Sequence, residues 1–142
     1  MNEPAPRPVP VTDDHDTGPL FAAAARGELV VRVCRCGVVS HLPVAYCRHC
    51  GGFDCEWTPV SGRATVHTWT RVTHQLHPAF PTPYTIVIVA LEEHPQVHMF
   101  GHLAGTPEIA AGQPAAVVFE DLGSGVVIPQ WRLIENDSAG SR

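Results

Sequence analysis

Four cysteines crowded into VCRCGVVSHLPVAYCRHCGG, residues 33–52, constrain this chain more than any other feature. A structural zinc site takes four soft ligands in a tetrahedron, and two short cysteine-bearing turns facing each other supply them. Cys34, Cys36, Cys47 and Cys50 fit that pattern. The second pair, CRHCGG, has a two-residue gap followed by glycine, which lets backbone amides turn toward the thiolate sulfurs. The first pair, CRCG, has only Arg35 between its cysteines, so His41 or His49 is an alternative to Cys34 as fourth ligand. Four thiolates leave no open coordination position, so such an ion stabilises a fold and does no catalysis. Iron in the same cage would make a rubredoxin-like electron carrier, and the spacing does not separate the two metals. Cys55 lies outside the knuckle spacing and reads as a small buried thiol with no activating base beside it.

Metal ligation outranks disulfide pairing only in a reducing compartment. The N-terminus, MNEPAPRPVPVTDDHD, lacks the charged, then apolar, then small-residue order of a secretory signal, which predicts a cytoplasmic protein. No apolar run approaches the roughly 20 residues of a membrane span. The 142 residues suit one compact domain, or one with a small satellite. There is no lysine among the nine basic residues, which removes Schiff-base and phosphate-loop-lysine chemistry. A net charge of -5 argues against a general nucleic-acid binder, whose affinity comes from cations displacing counterions.

Residues 1–14 hold four prolines and few apolar side chains, so they read as an extended arm. Residues 15–28 follow as a helical segment: Thr17 or Gly18 caps, Pro19 suits the first turn, Leu20–Arg26 is alanine-rich, and Gly27 stops it. The cysteine ribbon spans 29–58, opening on a strand over Leu29–Val33. Residues 59–134 then show five strand-like stretches, Arg63–His74, Tyr84–Leu91, Gln96–Leu103, Ala115–Asp121 and Val126–Leu133, with one minor helix near Pro107–Ala111. YTIVIVAL is apolar on both faces, which suits a central strand. The resulting fold class is mainly β: a short N-terminal helix, a rubredoxin-like ribbon, then a five-stranded OB-type barrel, an architecture that limits exposed edges. The last eight residues, 135–142, read as a frayed tail.

Two regions offer contact chemistry. The loop THQLHPAFPTP, residues 73–83, is long and stiffened by three prolines, and His74, His77, Phe80 and Tyr84 gather around it. It reads as a lid or contact for a partner or thioester, against a plainer reading in which Phe80 plugs the barrel and the histidines are solvated. Successive side chains of the first barrel strand alternate, so Arg63, His67, Trp69 and Arg71 share one face opposite Ala64, Val66, Thr68, Thr70 and Val72. Such a face suits an adenine nucleotide or a protein interface, or is a solvated face with Trp69 packed on the ribbon. His98, Phe100 and His102 likewise share a face, with no acidic motif near enough in sequence to make a catalytic pair.

The order of these stretches matters as much as their content. ARGELVVRVCRCG, CRHCGG, SGRATVHTWT, HPAF followed by PY, GHLAG, AAGQPAAVVFED and IPQWRL run through nearly the whole chain. It resembles the acyl-CoA-associated family in which a rubredoxin-like zinc ribbon precedes an OB-fold. That resemblance implies one structural zinc and a hetero-oligomeric life beside a thiolase-like, retro-aldolase or hydratase enzyme acting on coenzyme A thioesters. It also implies that the partner supplies the catalytic residues while this chain braces it and contacts or shapes the acyl-CoA channel. Arg63, Trp69, Arg71, His74, His77, Phe80 and Tyr84 are the candidate acyl-CoA or partner contacts. Competing classes are a nucleic-acid-binding ribbon/OB module, an electron carrier, and a stand-alone hydrolase or hydratase built on His74, His77 or His98.

Overall fold

A computed structural model describes residues 3, 5–42 and 44–135; residues 136–142 of the expected tail, and residues 1, 2, 4 and 43, lie outside that description. The only helix among the described residues is α1, Gly18–Ala25. Its start is shaped by Asp14, whose carboxylate accepts hydrogen bonds from the Asp16 amide (2.6 Å), the Thr17 amide (2.9 Å) and the Thr17 hydroxyl (2.9 Å). Those donors favour the charged carboxylate and hold Asp14 below its ordinary pKa. The helix ends where the Gly27 and Glu28 amides return to the carbonyls of Ala24 and Ala23, both at 2.9 Å.

Eight strands follow among the described residues: β1 Leu29–Cys34, β2 Val39–Ser40, β3 Cys55–Val60, β4 Arg63–Val72, β5 Tyr84–Leu91, β6 His98–Ala104, β7 Pro114–Asp121 and β8 Val127–Leu133. They make a three-stranded ribbon sheet, β2-β1-β3, and a five-stranded sheet, β6-β5-β4-β7-β8, with every pairing antiparallel. The mainly β class with a five-stranded barrel is therefore the observed one. Strand β3 carries Pro59, which costs no ladder bond on an edge strand.

Strand β1 is sandwiched, because alternate side chains leave opposite faces of a strand. Leu29 and Val31 join the barrel core with Ala64, Val66, Val87 and Val89, while Val30 packs under Leu20 and Ala23 of α1 beside Trp57. The two edge strands β6 and β8 close on one another through side chains. The side-chain oxygen Oε1 of Gln130 accepts from the His102 amide at 2.9 Å, and Trp131, 2% exposed, lies so close to Gly101 that a Cβ there would sit 3.0 Å from its ring. Only glycine leaves that space for the indole.

Two expectations need correction. No helix forms over Pro107–Ala111; the segment is irregular and ends in a turn at Ala111 and Gly112. Tertiary hydrogen bonds claim its end instead: the Val66 amide donates to the Gln113 carbonyl and the Gly112 amide to the Val66 carbonyl, both at 2.8 Å, and the Gln113 side chain accepts from the Ala110 amide at 3.1 Å. The second concerns β4, which does not alternate without interruption. Val66 pairs with Val89 and Thr68 with Ile88, so His67 is an extra residue in a β-bulge. Beyond it the parity inverts. Trp69 pairs with the fully buried Val87 and packs on the core, whereas Thr68 and Thr70 face outward. Arg63, His67, Trp69 and Arg71 therefore do not share a face.

Candidate functional site

The ribbon brings its four cysteines together from two turns. Val38 and Cys34 close the first, with the Cys34 amide donating to the Val38 carbonyl at 2.9 Å; Cys47 and Gly51 close the second, at 2.8 Å. All four sulfurs lie within 4.8 Å of one another, with Cys34–Cys50 at 3.5 Å and Cys36–Cys47 at 3.8 Å. A tetrahedral ion with metal–sulfur bonds of about 2.3 Å has sulfur–sulfur edges of about 3.8 Å, so this group can hold one metal ion. The Gly52 amide points at Cys50 Sγ from 3.3 Å, as ligand thiolates require. The protons are unevenly held. The Cys36 amide helps pull the Cys34 thiol down to about 6, and amides of Cys50 and His49 lower Cys47. For Cys36 the Val38 amide favours the thiolate but is outweighed by desolvation and by the neighbouring thiols, which push it up to about 12. A divalent cation removes this competition by stabilising all four thiolates together.

Cys55 stands across the ladder from Cys34 and is not one of the four. Burial, and then Cys34, raise its thiol, and the Arg32 guanidinium offsets part of that rise. Arg32 is itself buried and donates to the Val44 carbonyl. His41 is held below its ordinary pKa by burial and lines the same cavity of about 510 Å³ as Cys34, Cys47 and Cys55, but is not in the four-sulfur group.

A second site lies on the outer wall of the barrel, where a groove of about 410 Å³ runs between β5, β6 and β8. Its floor is apolar: Ile86, Ile128, Pro129 and Phe100, the last 60% exposed. Its end is aromatic. Phe80, from the proline-rich loop, lies 5.5 Å from the His102 ring and 6.3 Å from Tyr84, and His77 is 5.9 Å from Phe80. Arg7 of the N-terminal arm spans this end, with its guanidinium 5.2 Å over the Phe80 ring and ion-paired with Glu120 of β7. Arg7 Nε and His102 Nε2 are buried there without a hydrogen-bond partner. Desolvation, aided by Arg7, holds the His102 imidazole below its ordinary pKa.

The expected contact residues thus divide. Phe80, Tyr84 and, at the rim, His77 meet in the groove. His74 is exposed and apart from them, and Trp69 is turned into the core. Arg63 is engaged by Glu92, its Nε donating at 2.8 Å, and Arg71 borders a separate hollow with Glu108 and Glu135. His98, Phe100 and His102 do share the outer face, opposite Ala90, Ile88 and Ile86 of β5, and the His98 ring stacks on His67 at 4.2 Å. Arg7 and Gln130 escaped sequence reasoning, because a lone arginine in a proline-rich arm and a glutamine in a strand carry no local pattern.

Known proteins resemble the chain over most of its length. Residues 57–120 match the family described as ChsH2, C-terminal OB-fold domain. A chain of the Ltp2-ChsH2(DUF35) aldolase superposes with a TM-score of 0.76 and 28% identity, covering 87% of this chain and 98% of that one. A DUF35-family protein of unknown function from Sulfolobus solfataricus shares the fold, with a TM-score of 0.56 and 15% identity over 72% of this chain and 76% of its own. A probable enoyl-CoA hydratase alpha subunit of Thermomonospora curvata is 30% identical over 129 residues, 89% of this chain; the chain spans 40% of that relative's length.

Proposed function

The chain belongs to the DUF35 family of zinc-ribbon and OB-fold proteins, and from that premise we propose that it is a non-catalytic accessory subunit of an acyl-CoA-processing enzyme. It binds and braces a thiolase-like, aldolase or hydratase-type partner in the cytoplasm. One observation carries the reading. The likeness to the ChsH2 chain of an aldolase extends over ribbon, helix and barrel together, 98% of that chain, and not over an isolated OB barrel of the kind that recurs with unrelated functions.

The geometry supports the same conclusion. His67, His77, His98 and His102 meet other rings, and none of them is paired with a carboxylate among the described residues. The outer wall offers Phe100 and the groove beside it, an apolar core with arginine and aromatic neighbours of the composition found at protein interfaces. Phe80, Tyr84 and His77, gathered at the end of this groove, are the contacts we assign to a partner or its acyl-CoA. The Arg/Trp face that a nucleotide-stacking reading needs is broken by the bulge at His67.

We assign zinc to Cys34, Cys36, Cys47 and Cys50. Four thiolates saturate a tetrahedral ion, so its role is to hold the two turns against β1, and no water is left for it to activate. A single zinc per colourless chain supports this assignment; an iron–thiolate absorption spectrum would move it to electron transfer.

Co-expression with a thiolase-like, aldolase or hydratase-type candidate partner tests the main reading. A stable complex burying more than about 1,000 Å² is expected, with little acyl-CoA turnover by this chain alone. Independent elution of the two proteins on size exclusion, or turnover by the single chain, overturns it.

A further inference from the structure

We propose that Cys55 is a redox partner of Cys34: a peroxide joins the two in a disulfide, which removes Cys34 from the ligand set and releases the metal. The backbone argues for this pair. Cys34 and Cys55 are directly opposite at the end of the β1–β3 ladder, and the Arg35 amide, one residue beyond, donates to the Asp54 carbonyl at 2.9 Å. That placement makes Cys34 and Cys55 a non-hydrogen-bonded antiparallel pair. Such pairs have Cα atoms about 4.5 Å apart with both side chains on one face. Disulfides need about 4.4–6.8 Å, so the bond forms without moving the strands.

The other cysteines differ in a way that decides the pairing. Cys36, Cys47 and Cys50 lie in the turn segments between strands, outside any ladder, where a bound ion would be what ties them together. Cys34 and Cys55 are held by a ladder of six residue pairs, whose backbone bonds involve no metal ligand atom. Cys55 is also the one cysteine left over from the four-sulfur group. It borders the cavity of about 510 Å³ together with Cys34 and Arg32, which gives a small oxidant a route to both sulfurs.

The chemistry closes with hydrogen peroxide as oxidant. The Cys34 thiolate attacks one peroxide oxygen; the S–O bond forms, the O–O bond breaks and hydroxide leaves, giving a sulfenic acid. The Cys55 thiol then attacks that sulfur; the S–S bond forms, the S–O bond breaks, and hydroxide departs with the thiol proton as water. Two thiols lose two electrons and the peroxide gains them. With three thiolates left, the divalent ion loses the chelate that held it.

The full chain loaded with one equivalent of zinc is treated with hydrogen peroxide, zinc release is followed with a chromophoric chelator, and disulfides are mapped by non-reducing peptide mass spectrometry. Release accompanied by a Cys34–Cys55 cross-linked peptide is expected, with zinc uptake restored by dithiothreitol. Cys55→Ser and Cys55→Ala, checked for one zinc per chain, should release zinc at least about fivefold more slowly and accumulate dimedone-reactive Cys34. Bonds confined to Cys34, Cys36, Cys47 and Cys50, or release at the wild-type rate from whichever Cys55 variant holds zinc, overturns the proposal. Mapping of the peroxide-treated metal-free chain reads the pairing independently of the zinc assignment.

Discussion

Gly62, the hinge between ribbon and barrel, is where a single methyl group should do most damage. Its φ is +82°, and a Cβ built there would lie 2.4 Å from Val117 Cγ1 and 3.4 Å from Val117 Cβ. The backbone has no freedom to retreat. The Gly62 carbonyl accepts from the Val117 amide at 2.8 Å, and on the preceding residue the Ser61 amide and hydroxyl are held by the Glu93 carboxylate at 2.6 and 2.8 Å. Gly62→Ala therefore incurs two costs: about 1–2 kcal/mol for a left-handed non-glycine residue and about 1–3 kcal/mol for overpacking. A total of roughly 2–5 kcal/mol is a large share of the about 5–15 kcal/mol that stabilises a typical domain. At about 2–4 °C per kcal/mol for this length, Tm should fall by roughly 10 °C. The two costs separate in a double-mutant cycle, because Val117→Ala deletes Cγ1 and leaves φ untouched. Urea unfolding of the wild type, both single variants and the double variant, followed by tryptophan fluorescence, should give a coupling of about 1–3 kcal/mol. Additivity to within about 0.5 kcal/mol would show that the clash is not what makes glycine necessary, and the reasoning fails.

Two further outcomes follow from the sites. Cys50→Ser should lose the metal and the order of the ribbon turns while the barrel core survives, seen as zinc content near zero by elemental analysis with far-ultraviolet β signal retained; full zinc stoichiometry would point to a ligand set without Cys50. His102 has a folded-state pKa below the ordinary 6.5, chiefly through desolvation, so below that pH the unfolded chain binds more protons than the folded one. Stability should be complete above about pH 6.5 and fall as the pH drops beneath it; His102→Phe should flatten part of the slope, with buried His41 supplying more, and an unchanged slope would refute the assignment.

Features encoded within a few consecutive residues were legible. The cysteine pairs announced a ligand cluster, Pro19 and Gly27 bracketed α1, and the unbroken apolar run of β5 marked a central strand whose inward Val87, Val89 and Leu91 are buried and whose outward Ile86 and Ile88 are half-buried. Features that depend on a partner strand were not. Nothing in RATVHTWTRV, which has no glycine or proline, marks His67 as the residue that finds no place in the β4–β5 register, yet that one residue moves Trp69 from solvent to core. The segment after Pro107 has a weak local preference for helix, and Val66 captures its end with backbone hydrogen bonds that outweigh it. Strand β3 was hidden for a similar reason: CEWTPV is half polar and contains proline, and becomes a strand because β1 lies beside it.

The sequence by itself determined the cluster of four closely spaced thiols, the succession of helix, ribbon and barrel, and the absence of lysine chemistry, because each is a matter of residue type and short-range spacing. The tertiary structure alone decided that Arg7 crosses from the arm to Glu120 and Phe80, that Cys55 faces Cys34, and that the expected contact residues divide between groove, core and rim. Those relations join residues as many as 113 positions apart. Strand register sets them, and register is a property of two strands together, which no window along one of them contains.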